Sequence, residues 1–239
     1  MRFFNYNLNT DIEGIDFVRP AQKPLVVNCL NPHSFVTALG DPSFRSALEE
    51  SSILLPDGVG VCMALKRYRD EEIHKIAGDD LHHQMLSQAE AIGGKVFYMG
   101  STPEVLRLIE EHLHRDFPNI QVKTHSPSYC AEMREEENSE VVEMINAFGP
   151  DILFVGLGAP KQEKWVHRNS SRLNAKSIAN IGGAFEFYAG TIKRAPQWAI
   201  SLRLEWLVRF LHEPKRMWER NMVSSPRFLR YTRQHCAEM

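Results

Sequence analysis

Short apolar runs alternate with longer segments in which apolar residues recur at helical spacing. That alternation favours a mainly parallel sheet flanked by helices. The predicted strands are Leu25–Leu30, Ile53–Leu55, Lys95–Met99, Ile120–Thr124, Ile152–Gly156 and Ser177–Ile181.

Helix signals lie between these strands. Ser101 and Thr102 precede Pro103 directly after the apolar run VFYMG, so a hydroxyl cap and a proline in the first turn predict a helix over about 103–116. Pro160 predicts another helix start for the same reason. Segment 126–137 follows neither period, which predicts an exposed loop leading into a charged helix.

Composition indicates the size of the fold and the cellular compartment of the protein. With 239 residues, of which 43% are hydrophobic, the chain can form one α/β domain with a modest extension. Its four cysteines are widely spaced without a C-x-x-C pair, which predicts reduced thiols in a cytoplasmic protein. The N-terminus has no uninterrupted apolar region, and no run approaches the roughly 18 residues of a spanning helix. We therefore expect neither secretion nor membrane insertion.

Charge is distributed unevenly along the chain. Residues 194–239 hold nine Lys/Arg against four Asp/Glu, while residues 1–193 hold nineteen against twenty-six. A basic tail can be a nucleic-acid arm, a solvated helix face or a membrane contact. Aromatic and aliphatic residues between the cations favour an anionic lipid surface and not nucleic acid, with packing of those aromatics in the core as an equal alternative.

Ligands of open α/β sheets bind beyond the carboxyl ends of the strands. Four candidate segments carry glycines or polar residues at such places: Asn28 to Pro32, Pro56 to Gly60, Lys75 to Asp80 and Val155 to Glu163. Each alone also has a structural interpretation as a turn or a helix cap. The fourth segment suits a diphosphate because free backbone N–H groups and a helix dipole would face it, although it is neither G-x-G-x-x-G nor a Walker loop.

Together and in this order, the segments resemble the WecG/TagA/CpsF family, glycosyltransferase family 26, from about Leu25 to Arg220. The family patterns are T-x-N, P-D-G-x-G, R-x-x-G-x-D, V-G-x-G-x-P-x-Q-E-x-W, G-G-x-F-D, R-A-P, and L-E-W-x-x-R with E-P-x-R. In this chain they read Cys29 to Asn31, Pro56 to Gly60, Lys75 to Asp80, Val155 to Trp165, Gly182 to Glu186, Arg194 to Pro196, Leu204 to Arg209 and Glu213 to Arg216.

Three positions depart from the family pattern. Cys29 stands where Thr is usual, Lys75 replaces Arg, and Glu186 replaces Asp. Lysine keeps the positive charge but loses the bidentate fork of arginine. The replacements at Cys29 and Lys75 favour an exopolysaccharide or capsule hexosyltransferase over the standard N-acetylmannosamine enzymes.

The resemblance implies a Rossmann-like catalytic core of the GT-E type over residues 1–193. A basic, helical C-terminal appendage over residues 194–239 would complete the site and contact the membrane. The implied reaction moves a hexose, N-acetylmannosamine or N-acetylmannosaminuronic acid from a UDP-sugar to an undecaprenyl-pyrophosphate-linked saccharide with inversion. It would serve cell-surface or exopolysaccharide synthesis at the inner face of the cell membrane. A homo-oligomer is left open.

Such a transfer needs a base on the acceptor hydroxyl and positive charge near the departing diphosphate. Asp57 is the candidate base, because it leaves a strand between Pro56 and Gly58 in the motif whose family counterpart is thought to be catalytic. The candidate substrate-binding residues are Asn31, Lys75, Asp80, Gly100, Ser101, Gly156, Gly158, Gln162, Arg209, Arg216 and Arg220.

No D-x-D triad stands in a suitable loop, and the adjacent Asp79 and Asp80 would point in different directions. We therefore expect neither a metal nor a cofactor, and Arg209, Arg216 and Arg220 would neutralise the leaving UDP. The alternative for these arginines is an exposed basic helix face. Two other functions stay open. One is a nucleotide-binding oxidoreductase, weakened by the missing G-x-G-x-x-G, and the other is a catalytically idle membrane adaptor.

Overall fold

The computed structural model describes residues 1–20, 22–128, 133–193, 196 and 205–238, with the side chains of 205, 212 and 216 outside that description. Within these residues, six parallel strands form one sheet in the order β4-β3-β8-β7-β5-β6. A two-stranded antiparallel hairpin precedes it. The strands are β1 Arg2–Phe3, β2 Tyr6–Asn7, β3 Leu25–Leu30, β4 Ile53–Pro56, β5 Lys95–Gly100, β6 Gln121–His125, β7 Ile152–Gly156 and β8 Ser177–Asn180.

Helices follow the strands of the parallel sheet in alternation. In the body of the chain they are α1 Pro32–Gly40, α2 Pro42–Glu49, α3 Val59–Arg69, α4 Gly78–Ala91, α5 Pro103–Asp116, α6 Glu135–Phe148, α7 Lys161–Asn169 and α8 Gly182–Tyr188. In the tail they are α9 Glu205–His212, α10 Pro214–Trp218, a π-helix over Glu219–Ser224 and α11 Ser225–Gln234. The predicted α/β fold, with its mainly parallel sheet and helical C-terminal segment, is confirmed.

The strand predictions are confirmed within one or two residues, and the differences have local causes. β6 begins one residue late because the Ile120 N–H donates to Phe117 O at 3.2 Å in the preceding turn. β8 ends at Asn180 because Ile181 is already the N-terminal cap of α8. The predicted helix over 103–116 is confirmed, with the Thr102 hydroxyl accepting from Val105 N at 3.3 Å. α7 begins after Pro160 as expected.

An aromatic cluster joins the two ends of the chain. Phe3 of the hairpin and Phe35 of α1 lie against Phe228 of α11, with ring centroids 6.2 and 5.4 Å from it. Tyr231 packs on Phe35 at 5.5 Å. Phe228 is only 1% exposed, and the Leu65 side chain of α3 is buried in the same cluster. This part of the tail therefore belongs to the core.

The interleaved aromatics of the tail thus divide between the two expected roles. Phe228 and Met217 are buried, so for these two residues the core alternative is correct and the expected lipid contact is wrong. A second group is exposed: Trp206, Leu207, Leu211, Trp218, Met222, Val223 and Leu229. The division into a core over 1–193 and an appendage over 194–239 stays a prediction. Because Phe228 completes the aromatic cluster, however, we expect removal of the appendage to expose core surface.

In the part of the chain that the structure describes, none of the helices combines the length and the apolar character needed to cross a bilayer. The three cysteines described there, Cys29, Cys62 and Cys236, are free thiols.

Candidate active site

Asp57 lies directly beyond the carboxyl end of β4. Its N–H donates to Leu30 O of the neighbouring β3 at 2.9 Å, which fixes the backbone at the sheet edge. The residue that follows β3 is Asn31, which caps α1 through a hydrogen bond from Ser34 N and also donates from Nδ2 to Asp57 Oδ2 at 3.4 Å. The Asn31 side chain therefore caps α1 and also contacts the candidate base.

The electrostatic surroundings of Asp57 suit a base. Burial raises the pKa of its carboxyl, because the ionised form is poorly solvated there. The opposing influences do not cancel this effect; they are the hydrogen bond from Asn31 and the positive charges of Lys75, Arg209 and Arg220. A raised pKa brings a carboxylate closer to the basicity needed to accept a proton from a hydroxyl. The structure thus places three predicted cations around the predicted base.

Lys75 reaches this site from the loop between α3 and α4. The loop is attached to the strand end by a hydrogen bond from Ile76 N to Pro56 O at 2.9 Å. Since Pro56 immediately precedes Asp57, this bond holds the lysine segment beside the carboxylate.

Arg209 is held against the start of α8. Its guanidinium lies over the Phe187 ring, 5.1 Å from the centroid, and makes a 3.7 Å ion pair with Glu213. A Cβ on Gly183 would lie 3.2 Å from Arg209 Nη2. Glycine at this position therefore lets the guanidinium approach α8.

Arg220 enters the site from the π-helix of the tail. Such helices are rare and are often found at functional sites. The Arg220 carbonyl oxygen accepts a 2.9 Å hydrogen bond from Ser225 Oγ, and Ser224 Oγ lies 2.8 Å from His33 Nδ1 on α1. Burial lowers the pKa of His33, and the charge of Arg220 lowers it further. The π-helix is thereby fastened to the helix that Asn31 caps.

A cavity of about 730 Å³ opens beyond β5, β6 and β7. Gly100, Ser101 and Gly156 line it, as do Thr102 and Pro103 at the start of α5 and Pro160 and Lys161 at the start of α7. Gly100 is required because a Cβ there would lie 2.5 Å from Gly156 O. Ser101 takes a left-handed backbone with φ 60° and donates its N–H to the same oxygen at 3.0 Å.

The walls of this cavity are suited to an anion at one side. Two helix N-termini face it, and such ends bind phosphate through free N–H groups and the helix dipole. Lys164 and Arg168 also line it, with Lys164 paired to Asp41 at 3.0 Å. Glu186 contributes the opposite charge: its Oε2 is buried and makes no hydrogen bond within the described residues.

Gln162 and Gly158 form the link between the cavity and the interior. Gly158 N donates to Gln162 Oε1 at 3.0 Å, and Gln162 Nε2 donates to Glu163 Oε1 at 2.9 Å. Gln162 is buried, and its amide oxygen and amide nitrogen are both used in these two hydrogen bonds. Burial raises the pKa of Glu163 to about 7, against the lowering effects of the Gln162 hydrogen bond and the Arg220 charge.

The predicted site residues therefore fall into two neighbouring groups. Around Asp57 are Asn31, Lys75, Arg209 and Arg220. At the cavity are Gly100, Ser101 and Gly156, with Gly158 and Gln162 behind its wall. Asp80 lies in the first turn of α4 and does not line the cavity. Arg216 is in α10, and its side chain lies outside the described residues, as do Arg194 and Ala195 of the R-A-P motif.

Sequence reasoning missed Glu163, Glu186 and His33 as site residues. Glu163 and Glu186 lie inside the quoted motifs, but a charged residue in a helix is ordinarily exposed. The sequence pattern did not indicate that the Glu163 side chain and Glu186 Oε2 are buried. His33 had no motif. A search for carboxylates in the first two turns of a helix that follows a glycine-rich strand end would have selected the two glutamates.

A parallel α/β sheet with a half-buried carboxylate at one strand end, cations near it, and a cavity that two helix N-termini face is the arrangement expected of a group-transfer enzyme that acts on an anionic substrate. Residues 2–238 match the Glycosyl transferase WecG/TagA/CpsF family. The chain belongs to this family and is a glycosyltransferase. This finding excludes the oxidoreductase alternative.

Individual relatives are similar over most of the chain. Three carry the name N-acetylglucosaminyldiphosphoundecaprenol N-acetyl-beta-D-mannosaminyltransferase. The protein from Bacillus spizizenii (strain ATCC 23059 / NRRL B-14472 / W23) is 34% identical over 86% of this chain and 77% of its own. The protein from Bacillus subtilis (strain 168) is 32% identical over 95% and 86%. The one from Staphylococcus aureus (strain MRSA252) is 32% identical over 90% and 84%.

Proposed function

We propose that this chain transfers N-acetylmannosamine, with inversion, from a UDP donor to a lipid-linked acceptor that carries N-acetylglucosamine diphosphate, and that Asp57 is the general base. The observation that carries the proposal is the Asp57 carboxyl: half-buried, raised in pKa and surrounded by cations at the strand end. The sugars are those in the names of the relatives.

In the proposed step, the acceptor hydroxyl oxygen attacks the anomeric carbon of the donor sugar. The bond between that carbon and the diphosphate oxygen breaks, and UDP leaves with the electron pair. The hydroxyl proton passes to Asp57. Arg209 and Arg220 offset the charge that develops on the diphosphate, because fixed cations in a partly desolvated site stabilise such charge strongly.

The cavity beyond β5 and β7 is the proposed donor site. Its volume of about 730 Å³ lies within the usual range for small-molecule pockets. The diphosphate would lie at the starts of α5 and α7, near Ser101 and Lys161. The nucleoside would then reach Glu186, which lines the cavity and whose carboxylate can accept a hydrogen bond from a ribose hydroxyl or a base N–H.

The acceptor implies a membrane-facing surface. The exposed group Trp206, Leu207, Leu211, Trp218, Met222, Val223 and Leu229 supports a peripheral position on the inner face of the cell membrane. Leu211 and Trp218 are 71% and 59% exposed, which is unusual for large apolar side chains unless they meet a partner or lipid. Basic residues of the tail would add attraction to anionic lipid.

Transfer of a hexose in exopolysaccharide or capsule synthesis is the competing specificity. It is motivated by Cys29 and Lys75, which depart from the family pattern. The decisive experiment offers the full chain UDP-N-acetylmannosamine, UDP-N-acetylmannosaminuronic acid or UDP-glucose with a short lipid-pyrophosphate N-acetylglucosamine acceptor. UDP release and product mass are measured. We expect product with N-acetylmannosamine alone.

Product from UDP-glucose alone would assign the competing specificity. UDP binding without turnover of any donor would contradict the proposal and support the idle adaptor. Asp57→Asn is the matched control, since it keeps the shape of the side chain and removes the base.

A further inference from the structure

A second groove, smaller than the donor cavity, lies at the outer edge of the sheet. It has a volume of about 200 Å³ and runs between α3 and the loop that leads to α4. Val59, Cys62, Met63 and Lys66 of α3 line one wall, and residues 72–75 line the other. The transfer step described above gives this groove no role.

Both walls of the groove are attached to the strand end that carries Asp57. α3 begins at Val59, directly after Gly58, and the loop is attached by the 2.9 Å hydrogen bond from Ile76 N to Pro56 O. In the trans peptide between Pro56 and Asp57, the carbonyl and the N–H point in opposite directions, and this N–H donates to β3. Pro56 O therefore faces away from β3, so the loop lies on the outer side of β4.

The donor cavity lies on the other side of Asp57. β4 is an edge strand, and β7, whose end lines the donor cavity, is three strand positions further in. At the usual strand spacing, the ends of β4 and β7 are about 14 Å apart. In a transfer with inversion, the attacking hydroxyl and the leaving group are on opposite faces of the sugar. A donor that extends from the cavity toward Asp57 would therefore be attacked from the side of the sheet edge, where the second groove lies.

The second groove combines positive charge with apolar surface. Two lysines, Lys66 and Lys75, line it together with one glutamate, Glu72. Met63 is on the same wall as Lys66 and is 51% exposed, and Ile73 is on the opposite wall. A diphosphate joined to an aliphatic chain places negative charge next to apolar surface. Since lysine binds phosphate as a point charge, the groove is complementary to such a ligand in both properties.

Lys66 can exchange its present partner for a phosphate. Its Nζ makes a 2.8 Å ion pair with Glu72, and both side chains are more than half exposed. Exposed ion pairs contribute little to stability, because water and salt screen the two charges. A diphosphate that enters the groove can therefore replace the Glu72 carboxylate on Lys66 without disturbing the fold.

We propose that the groove between α3 and the loop before α4 is the acceptor subsite, where Lys66 and Lys75 bind the diphosphate that links the acceptor sugar to its lipid. The sugar then lies toward Asp57, and the apolar wall at Met63 contacts the first part of the lipid chain. Glu72 opposes binding, because its carboxylate repels the diphosphate and competes for Lys66. This inference rests on the proposed function for the identity of the acceptor.

The test measures acceptor and donor KM separately for Lys66→Gln, Glu72→Gln and Arg67→Gln in the full chain, with the short lipid-pyrophosphate N-acetylglucosamine acceptor. Arg67 is an exposed cation of the same helix and does not line the groove, so Arg67→Gln is the matched control. Lys66→Gln should raise the acceptor KM roughly tenfold, because one charge-assisted hydrogen bond is lost. Glu72→Gln should lower the acceptor KM about twofold to threefold. The donor KM and the Kd for UDP should stay unchanged in all three variants.

An unchanged acceptor KM in Lys66→Gln would overturn the inference. A rise in the donor KM would assign the groove to the donor and would also overturn it. Weaker acceptor binding in both Lys66→Gln and Glu72→Gln would show that their ion pair only shapes the wall, which is a third contradicting result.

Direct binding separates this inference from the proposed function. If the wild-type chain turned over no donor, the proposed function would fail by itself. The groove would then be tested by calorimetry with farnesyl diphosphate, in saturating UDP to fill the donor cavity. Lys66→Gln should weaken binding of this probe and Arg67→Gln should not, and equal Kd values for the two variants would overturn the assignment. Inorganic pyrophosphate should bind more weakly than the prenyl diphosphate, and equal affinities would exclude the lipid contact.

Discussion

Replacing Glu163 by Gln should stabilise the protein at alkaline pH, because the buried carboxyl is costly to ionise. Burial raises the pKa of this carboxyl from 4.5 to about 7. The folded protein therefore holds a proton that the unfolded chain releases between these two values. Stability from this group is fully present below about pH 4.5, falls as the pH rises and levels off above the folded pKa.

One pKa unit corresponds to about 1.4 kcal/mol. From the shift in pKa, the ionised carboxyl costs on the order of 3 kcal/mol at high pH. Part of that penalty is already present at pH 5, so the advantage of Glu163→Gln over wild type should grow by roughly 2 to 3 kcal/mol between pH 5 and pH 8.5.

Urea denaturation followed by circular dichroism at both pH values measures this difference. Glu140→Gln, which changes an exposed glutamate of α6, is the control for general charge effects. A difference that stays constant across the two pH values would show that Glu163 is not buried with a raised pKa. A difference that shrinks with pH would show the opposite shift.

Four further outcomes are expected. Asp57→Asn should reduce transfer about a hundredfold or more with UDP binding nearly intact, and an active variant in a steady-state assay would remove Asp57 from the mechanism. Trp218→Ala should weaken binding to anionic vesicles in sedimentation assays without lowering the thermal midpoint. Phe228→Ala should instead lower the free energy of unfolding by about 3–5 kcal/mol, because that ring is buried. Equal effects of the two substitutions on stability would contradict the division into an exposed and a buried aromatic residue. EDTA should leave turnover unchanged, and dependence on added Mg²⁺ or Mn²⁺ would show a missed metal site. Vesicle binding by the intact chain should weaken with salt, and insensitivity to salt would exclude the electrostatic contribution.

The order of the elements was predictable from the sequence because apolar runs and cap signals are local. Pro103 and Pro160 mark helix starts through their own backbone restrictions, and both helices begin there. Asp57 was also predictable, since the P-D-G motif carries it. The hairpin of Arg2–Phe3 and Tyr6–Asn7 was not, because each strand has only two residues and is fixed by packing against α1.

The sequence also did not predict contacts between residues that are far apart in the chain. Phe228 and Trp218 are both aromatic residues in the same basic tail, yet one is buried and the other exposed. Which of the two is buried depends on which face of the tail helices packs against α1, and the sequence pattern does not determine that face. The same holds for Glu163, whose burial results from the way α7 packs behind the donor loop.

The aromatic cluster that joins the chain ends also joins the tail to α1, the helix whose cap contacts the proposed base. Asn31 caps the first turn of α1, where it touches Asp57, and Phe35 lies in the next turn, against Phe228. A rigid helix transmits displacement along its length, so a shift of α11 relative to the body would move the amide that holds the carboxylate. If the tail binds a lipid surface as proposed, a displacement of its helices would therefore reach the Asn31–Asp57 contact through the first turn of α1.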